Sequence, residues 1–218
     1  VVLERAPATL TLACAALLIS VVLGIPAGIV AAVKRNSVSD AVIRVLALLG
    51  QCMPAFWLGI MLIMLFAVKL GWMPTGGAED GLRSLILPAF TLGVFSAATI
   101  CRLLRSNLIE VLGKEYIDVA KAKGLPKSKI IGKHALKNAM SSIITILGMQ
   151  FASLLGGSVI PEQVFAWPGV GRLVIQSITT SDFAVVECIV FLMAVIFVVI
   201  NFIVDVLYCV INPRVRLQ

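Results

Sequence analysis

The chain has 218 residues, 60% of them hydrophobic and only 13% charged, with a mean hydropathy of +1.07 and a formal net charge of +7. A soluble domain is about 25% charged and about 45–50% apolar, so this chain has too little polar surface to cover a water-soluble globule and belongs in a membrane. The same figures exclude a disordered segment and a disulfide-stapled secreted module, and continuous rather than alternating apolar runs exclude a membrane β-barrel.

Charged residues divide the sequence into five uncharged runs, each long enough, alone or with flanking residues, to cross a hydrocarbon core of roughly 30 Å as a helix. The fold class is therefore all-α: one domain over 1–218, a polytopic transmembrane helical bundle with spans at about 9–33, 45–69, 84–104, 138–160 and 185–211. The first run is about twice the length of a signal-peptide core and no basic cluster precedes it, so it reads as a span rather than a cleaved leader. Within it Gly24 and Gly28, with Pro26 between them, allow close helix approach and a kink. The second run is interrupted by Gln51-Cys52-Met53-Pro54, where proline removes a backbone hydrogen bond and bends the helix. Gly71 to Gly77 then reads as an external turn, with Trp72 at the depth where amphipathic rings lie.

Further along, Gly148, Ala152 and Gly156 recur four residues apart and offer a smooth face for another helix. Gln150 shares that span and Asn201 lies in the last one. A polar amide in lipid faces a partner or a cavity, which makes both candidates for a polar pathway. Asp205, one turn beyond Asn201, either pairs locally or reaches water. The five cysteines, 14, 52, 101, 188 and 209, are scattered through the spans and read as small packing residues, not as a metal site.

Most of the 18 basic residues fall in the loop after the first span, in the long middle loop and in the tail with Arg214 and Arg216. The positive-inside rule puts these segments, and the C-terminus, in the cytoplasm. Topology accounts for the basic residues, and no aromatics interleave with them to stack bases, so nucleic acid is not the partner. The middle loop, 110–138, is too long and too patterned for a connector. Ile109, Leu112, Tyr116, Val119 and Ala120 fall at helical spacing, which predicts an amphipathic helix continuing from the third span. Gly124-Leu125-Pro126 breaks it, and a second helix with Ile130, Ile131, Ala135 and Leu136 on one side leads into the fourth span. The result is a cytoplasmic helix-turn-helix elbow, suited to lie on anionic lipid or to dock into another protein.

Asp118-Val119-Ala120, then Gly124 and Leu136, resemble the EAA loop of ATP-binding-cassette importer permeases, with Asp118 in place of Glu, Val119 of the first Ala, His134 of Ile and Lys137 of Pro. His134-Ala135-Leu136-Lys137-Asn138-Ala139 is similar to the form found in the dipeptide, oligopeptide and nickel permease subfamily. The stretches Pro7 to Leu10, Met53 to Gly59, Glu162 to Arg172 and Asn212-Pro213-Arg214 resemble the same subfamily. The resemblance implies a bundle of six spans in the complete member, so that this chain, starting at Val1 with five, reads as lacking the first.

It further implies a permease subunit that forms the translocation pathway for short peptides delivered by an external solute-binding protein in a bacterial or archaeal inner membrane. Its partners would be a second homologous permease subunit and two ATP-binding subunits. The elbow would be a coupling helix seated in a groove of an ATPase, with Asp118, Ala120, Gly124, Leu125, His134 and Leu136 as its residues. ATP and Mg would be bound by those partners, because this chain shows no Gly-x-x-x-x-Gly-Lys-Ser/Thr loop, and no cofactor is expected on the chain itself. Import of nickel or a metal chelate by the same fold is the alternative, and an ATP-independent secondary carrier the rival class. Outside, Glu162, Phe165, Trp167, Pro168, Gly169 and Gly171 form a tight, partly re-entrant block, read as a gate or docking cap, with interfacial anchoring by Phe165 and Trp167 as the competing reading. His134 is the only histidine; lacking a second ligand or a nucleophile in sequence reach, it is assigned to packing, and no catalytic or metal site is expected.

Overall fold

A computed structural model of the protein describes residues 1–211; Asn212-Pro213-Arg214 and Arg216 lie outside the described residues, as do the side chains of Asp205 and Cys209. α1 (Val2–Val33) runs unbroken through Pro26, and a turn through Asn36 leads to α2 (Val38–Cys52). α3 (Ala55–Leu62) continues as a π-helix over Ile63–Lys69, and a glycine-rich turn reaches α4 (Leu82–Leu112). α5 (Glu115–Ala122) and the single turn α6 (Lys127–Lys129), which widens into a π-helix over Ile130–Ala135, make the elbow. α7 (Leu136–Gly157), the short α8 (Val159–Val164) and α9 (Val170–Thr179), and α10 (Phe183–Ile211) complete the bundle. Three helices, α1, α4 and α10, are each long and apolar enough to cross a membrane, and the bent pairs Val38–Cys52 with Ala55–Lys69 and Lys127–Met140 with Ile143–Gly156 raise the number to five if each pair is one span.

Two elements differ from the sequence expectation. The proline at 54 does more than kink a helix: α2 stops at Cys52, and the two halves turn by 104°. Met53 and Pro54 are both extended, with ψ of 126° and 135°, because the ring of a proline pushes the residue before it out of the helical region. The helix predicted to continue from the third span into the elbow is also broken. α4 is closed at Gly113, whose N–H donates to the Glu110 carbonyl while that of Lys114 donates to Val111, and Lys114 is extended before α5 begins. Glycine is among the poorest helix formers, so the change of direction falls there. In consequence α5 turns a different face inward: Ile117 and Ala120 are buried, while Tyr116 and Val119 are exposed.

The centre of the bundle is the pair α1 and α4. A Cβ at Gly24 would stand 2.7 Å from the Ala97 carbonyl oxygen, one at Gly28 2.9 Å from that of Cys101, and one at Gly93 2.8 Å from that of Ala16. Glycines on both helices thus let the two backbones touch along most of their length. In lipid this matters more than apolar character, because acyl chains are as apolar as leucine and only close packing distinguishes a helix partner from solvent. On α7, Ala152 is buried, but Gly156 is exposed with open space beside it, so the expected smooth face is only partly covered within the chain.

Two cores close the ends of this pair. At one end Ile100, Leu104, Leu108 and Val111 of α4 pack with Ala32 of α1 and with Ile117, Ala120, Ile130 and Ala135 of the elbow. At the other, Leu12, Ala13 and Ala16 of α1 pack with Ala89 and Leu92 of α4, Leu154 and Leu155 of α7, and Trp167. α2 is tied in at the elbow end by Asp40, which is buried. Its carboxylate accepts from Nε and Nη2 of Arg105, both at 2.7 Å, and from the Asn36 N–H at 3.0 Å. A buried carboxylate needs a paired cation and satisfied lone pairs, and the two-pronged guanidinium supplies both.

Gly28→Val would drive a branched side chain into the α4 backbone and should lower the stability of the detergent-solubilised protein by about 1–3 kcal/mol. Gly156→Ala, with open space beside it, should lower it not at all. Thermal unfolding of the two variants side by side checks the assignment of α1–α4 as the central contact.

Candidate functional site

The elbow is built from a turn whose chemistry is set by Gly124. Its φ of +73° lies in the left-handed region that glycine adopts without strain. The Gly124 N–H donates to the Lys121 carbonyl at 2.9 Å and the Leu125 N–H to that of Ala120 at 3.3 Å, the paired bonds of a Schellman helix end. Leu125 and Leu136 are half-buried against the core that holds Ile117, Ala120 and Ile130, so the inner side of the elbow is one piece with the ends of α1 and α4. The outer side presents Tyr116, Asp118, Val119, Lys121 and Lys123. Asp118 and Lys121 pair at 2.8 Å, both largely in solvent, so the pair sets local charge more than stability. His134 is half-buried; its carbonyl accepts from Asn138, whose amide also reaches the Tyr116 hydroxyl at 3.0 Å. The histidine is therefore fixed by its backbone at the joint between elbow and α7.

The block from Glu162 to Gly171 folds at the opposite end into a compact cap. Glu162 is fully buried, and its Oε1 accepts from the hydroxyls of Thr9 at 2.8 Å and Ser158 at 2.9 Å, while Oε2 accepts from the Arg172 N–H at 3.0 Å. Thr9 in turn accepts from the Val170 N–H at 2.8 Å. Two glycines make room for this carboxylate: a Cβ at Gly169 would fall 2.3 Å from it, and one at Gly171 would fall 2.6 Å from the Val159 backbone. Phe165 and Trp167 are 1% and 5% exposed, buried inside the fold rather than turned to the lipid surface as anchors. The Trp167 indole donates to the Ala8 carbonyl at 2.9 Å, and the Phe165 ring lies on Gly59 of α3. The Phe165 carbonyl accepts from Gly77 at 2.8 Å, and the Arg172 guanidinium donates to the Ala166 carbonyl at 2.6 Å. Pro168, half-buried, completes the turn between Trp167 and α9. The cap thus fastens α1, α3 and the 70–81 turn together. The sequence marked the cap's aromatics and glycines, and Thr9 only within the stretch Pro7 to Leu10, but not Ser158, whose signal, a lone hydroxyl in an apolar run, is too common to read.

Between the two ends a cavity of about 370 Å³ opens at the break between α2 and α3. Gln51, Pro54, Thr91, Ser96, Gln150 and Ser153 are among its lining residues. Gln150 is therefore brought to a polar cavity, together with groups that were not singled out as pathway residues. Asn201 is not on this wall; its amide donates to the Phe197 carbonyl of its own helix at 2.9 Å. A proline at the break withholds an N–H from the last turn of α2, so polar backbone as well as polar side chains meets at this point. Non-helical backbone at membrane depth is tolerated where it lines a cavity.

Comparison with known proteins gives this arrangement its family. Residues 24–217 match the family described as binding-protein-dependent transport system inner membrane component. The chain is 43% identical over 208 residues to the glutathione transport system permease protein GsiC of Escherichia coli strain K12, covering 95% of this chain and 68% of that one. It is 39% identical over 239 residues to the di/tripeptide transport system permease protein DppB of Pseudomonas aeruginosa strain UCBPP-PA14, covering 97% and 71%. The fold is similar to that of an inward-facing conformation of the MetNI methionine ABC transporter, with a TM-score of 0.82 at 20% identity over 97% of this chain and 96% of that one. The chain belongs to the binding-protein-dependent transport system inner membrane components and is a permease subunit of an ATP-binding-cassette importer.

Gly169→Ala forces the Glu162 carboxylate out of its place, and Glu162→Gln turns an amide against a donor; each should destabilise the protein by about 1–3 kcal/mol. Because both act on one network, the double variant should lose less than the sum of the two. Strict additivity in thermal unfolding would show that the cap is not organised around Glu162.

Proposed function

We propose that the chain carries short peptides across the inner membrane as one half of a two-permease pathway, with cargo delivered by an external solute-binding protein and driven by two ATP-binding partner subunits. The second half is a homologous permease subunit, and the C-terminus and the elbow lie on the cytoplasmic side. The names of the relatives, for di/tripeptide and for glutathione transport, support a short-peptide cargo. ATP and Mg belong to the partner subunits in this reading. It is supported by the filling of the chain's one Gly-x-Gly turn, at Gly169 and Gly171, with the Glu162 carboxylate, where an anionic phosphate would meet like charge.

The observation that carries the coupling role is the two-sided build of the elbow. Its inner residues, Ile117, Ala120, Ile130 and Ala135, belong to the same packed core as Leu104 and Leu108 of α4 and Ala32 of α1. Its outer residues, Tyr116 and Val119 among charged neighbours, are exposed apolar groups suited to a groove on another protein. A close-packed interior transmits displacement rather than absorbing it, so a push on the outer face moves the pathway helices as a body. Ala120 and Gly124 keep the turn slim, Leu125 and Leu136 fasten it inward, His134 marks the joint with α7, and Asp118 with the lysines tunes docking. At the other end Glu162, Phe165, Trp167, Pro168, Gly169 and Gly171 form the external cap near which cargo is handed over, and Gln150 lies on the pathway wall.

In proteoliposomes holding the complete importer, Val119→Glu and Gly124→Val should each cut peptide uptake by about tenfold or more, the scale of a typical coupling free energy. Stimulation of ATP hydrolysis by the loaded binding protein should fall in parallel, while membrane insertion of the chain stays normal. Full uptake by both variants would remove the elbow from the coupling route.

A further inference from the structure

Two of the three arginines of α4, Arg102 and Arg105, lie one turn apart, and the fold treats them differently. Arg105 is committed to Asp40 by two hydrogen bonds at 2.7 Å. Arg102 is exposed, and among the described residues no carboxylate lies within ion-pair distance of it. Its Nη1 donates to the side-chain carbonyl of Gln51. Gln51 donates in turn from Nε2 to the Thr99 hydroxyl at 3.0 Å, and Thr99 to the Phe95 carbonyl at 3.3 Å. Gln51, Phe95 and Ser96 line the polar cavity at the α2–α3 break; Arg102 is not itself among the lining residues and is joined to the cavity through Gln51.

Arg102 stands at the end of the uncharged stretch of α4 from Ser84 to Cys101, one turn beyond Thr99. A charged group at the end of a span turns to water or to a polar partner rather than to lipid. Guanidinium has five N–H donors in a fixed fork, and the Gln51 amide engages one nitrogen of it. The remaining edge matches a carboxylate, which it binds through two parallel bonds stronger than neutral ones. Gln51 is itself neutral, so it orients the guanidinium without quenching its charge. The rest of the wall, Thr91, Ser96, Gln150 and Ser153, offers uncharged hydroxyls and amides suited to a peptide backbone.

We propose that Arg102, positioned by Gln51, binds the carboxylate of the cargo at this cavity and makes the permease selective for anionic peptide termini. This rests on the short-peptide reading above and sharpens it, because a fixed positive charge on the passage repels a free divalent cation. The same group that accepts a peptide carboxylate therefore disfavours bare nickel.

The test uses the complete importer in proteoliposomes with a tripeptide as the free acid and as its C-terminal amide. The binding protein reads the two cargoes as well, so the quantity of interest is how the acid-to-amide uptake ratio changes between wild type and variant. Arg102→Gln should lower that ratio by about tenfold, the scale of one charge-assisted hydrogen bond, with amide uptake unchanged. Arg102→Lys, which keeps the charge, should retain most of the ratio. Equal loss of both cargoes in Arg102→Gln would overturn the proposal and assign the arginine to packing or to the other permease subunit, and so would an unchanged ratio. Uptake of neither peptide by the wild-type importer would overturn the peptide reading itself, and this inference with it.

Discussion

The rest of the structure depends on backbone contact between α1 and α4. In water two apolar helices are driven together by burial alone, but in lipid that drive vanishes and the pair must offer something acyl chains do not. Here it is van der Waals contact at glycine: Gly24 and Gly28 from one helix and Gly93 from the other bring main chain against main chain. α2, α7 and the elbow pack directly on this pair, and α10 joins the bundle through α7 and α9. At 31 residues, about 46 Å at 1.5 Å per residue, α4 is longer than the hydrocarbon core, and its final turns stand in the elbow as part of its floor.

The two ends are closed by different chemistry. At the elbow end, Asp40 is held by the Arg105 fork, so a charged pair anchors the start of α2. At the cap end, Glu162 is held by two hydroxyls and an N–H, with no cation among its hydrogen-bond partners. Both carboxylates are held by three donors, and loss of any donor leaves a buried polar atom unsatisfied, but only Glu162 is also hemmed in by glycine backbone. The cap is correspondingly the more rigidly specified: Gly169 and Gly171 have no room for any other residue, and Phe165 and Trp167 carry the specification on to α3 and α1. Between these closed ends lies the α2–α3 break, where the polar cavity sits and where the chain places Gln51, Gln150 and two serines.

Fold class and family were legible in the sequence, and the reason is physical. A charge in lipid is costly, so the placement of few charges delimits the helices, and turn chemistry such as Gly124-Leu125-Pro126 is local enough to read residue by residue. Where reading failed, the outcome depended on geometry beyond one helix. The spacing of Tyr116, Val119 and Ala120 was rightly helical, but the helix does not continue from α4: it restarts after Gly113, with Ile117 and Ala120 buried and Tyr116 and Val119 exposed. Pro54 announced a bend, but not its size of 104° nor the packing of α3 on Phe165 at Gly59.

By itself the sequence determined the solvent, the number of apolar runs, the expected cytoplasmic side and the position of the elbow, since each is a property of consecutive residues. Only the tertiary structure decided which polar groups meet. Thr9 finds Glu162 across 153 positions, Gln51 finds Thr99 across 48 and Asp40 finds Arg105 across 65. No pattern along the chain encodes such pairs, because they are fixed by how closely α1, α2, α4 and α8 approach one another in the folded bundle.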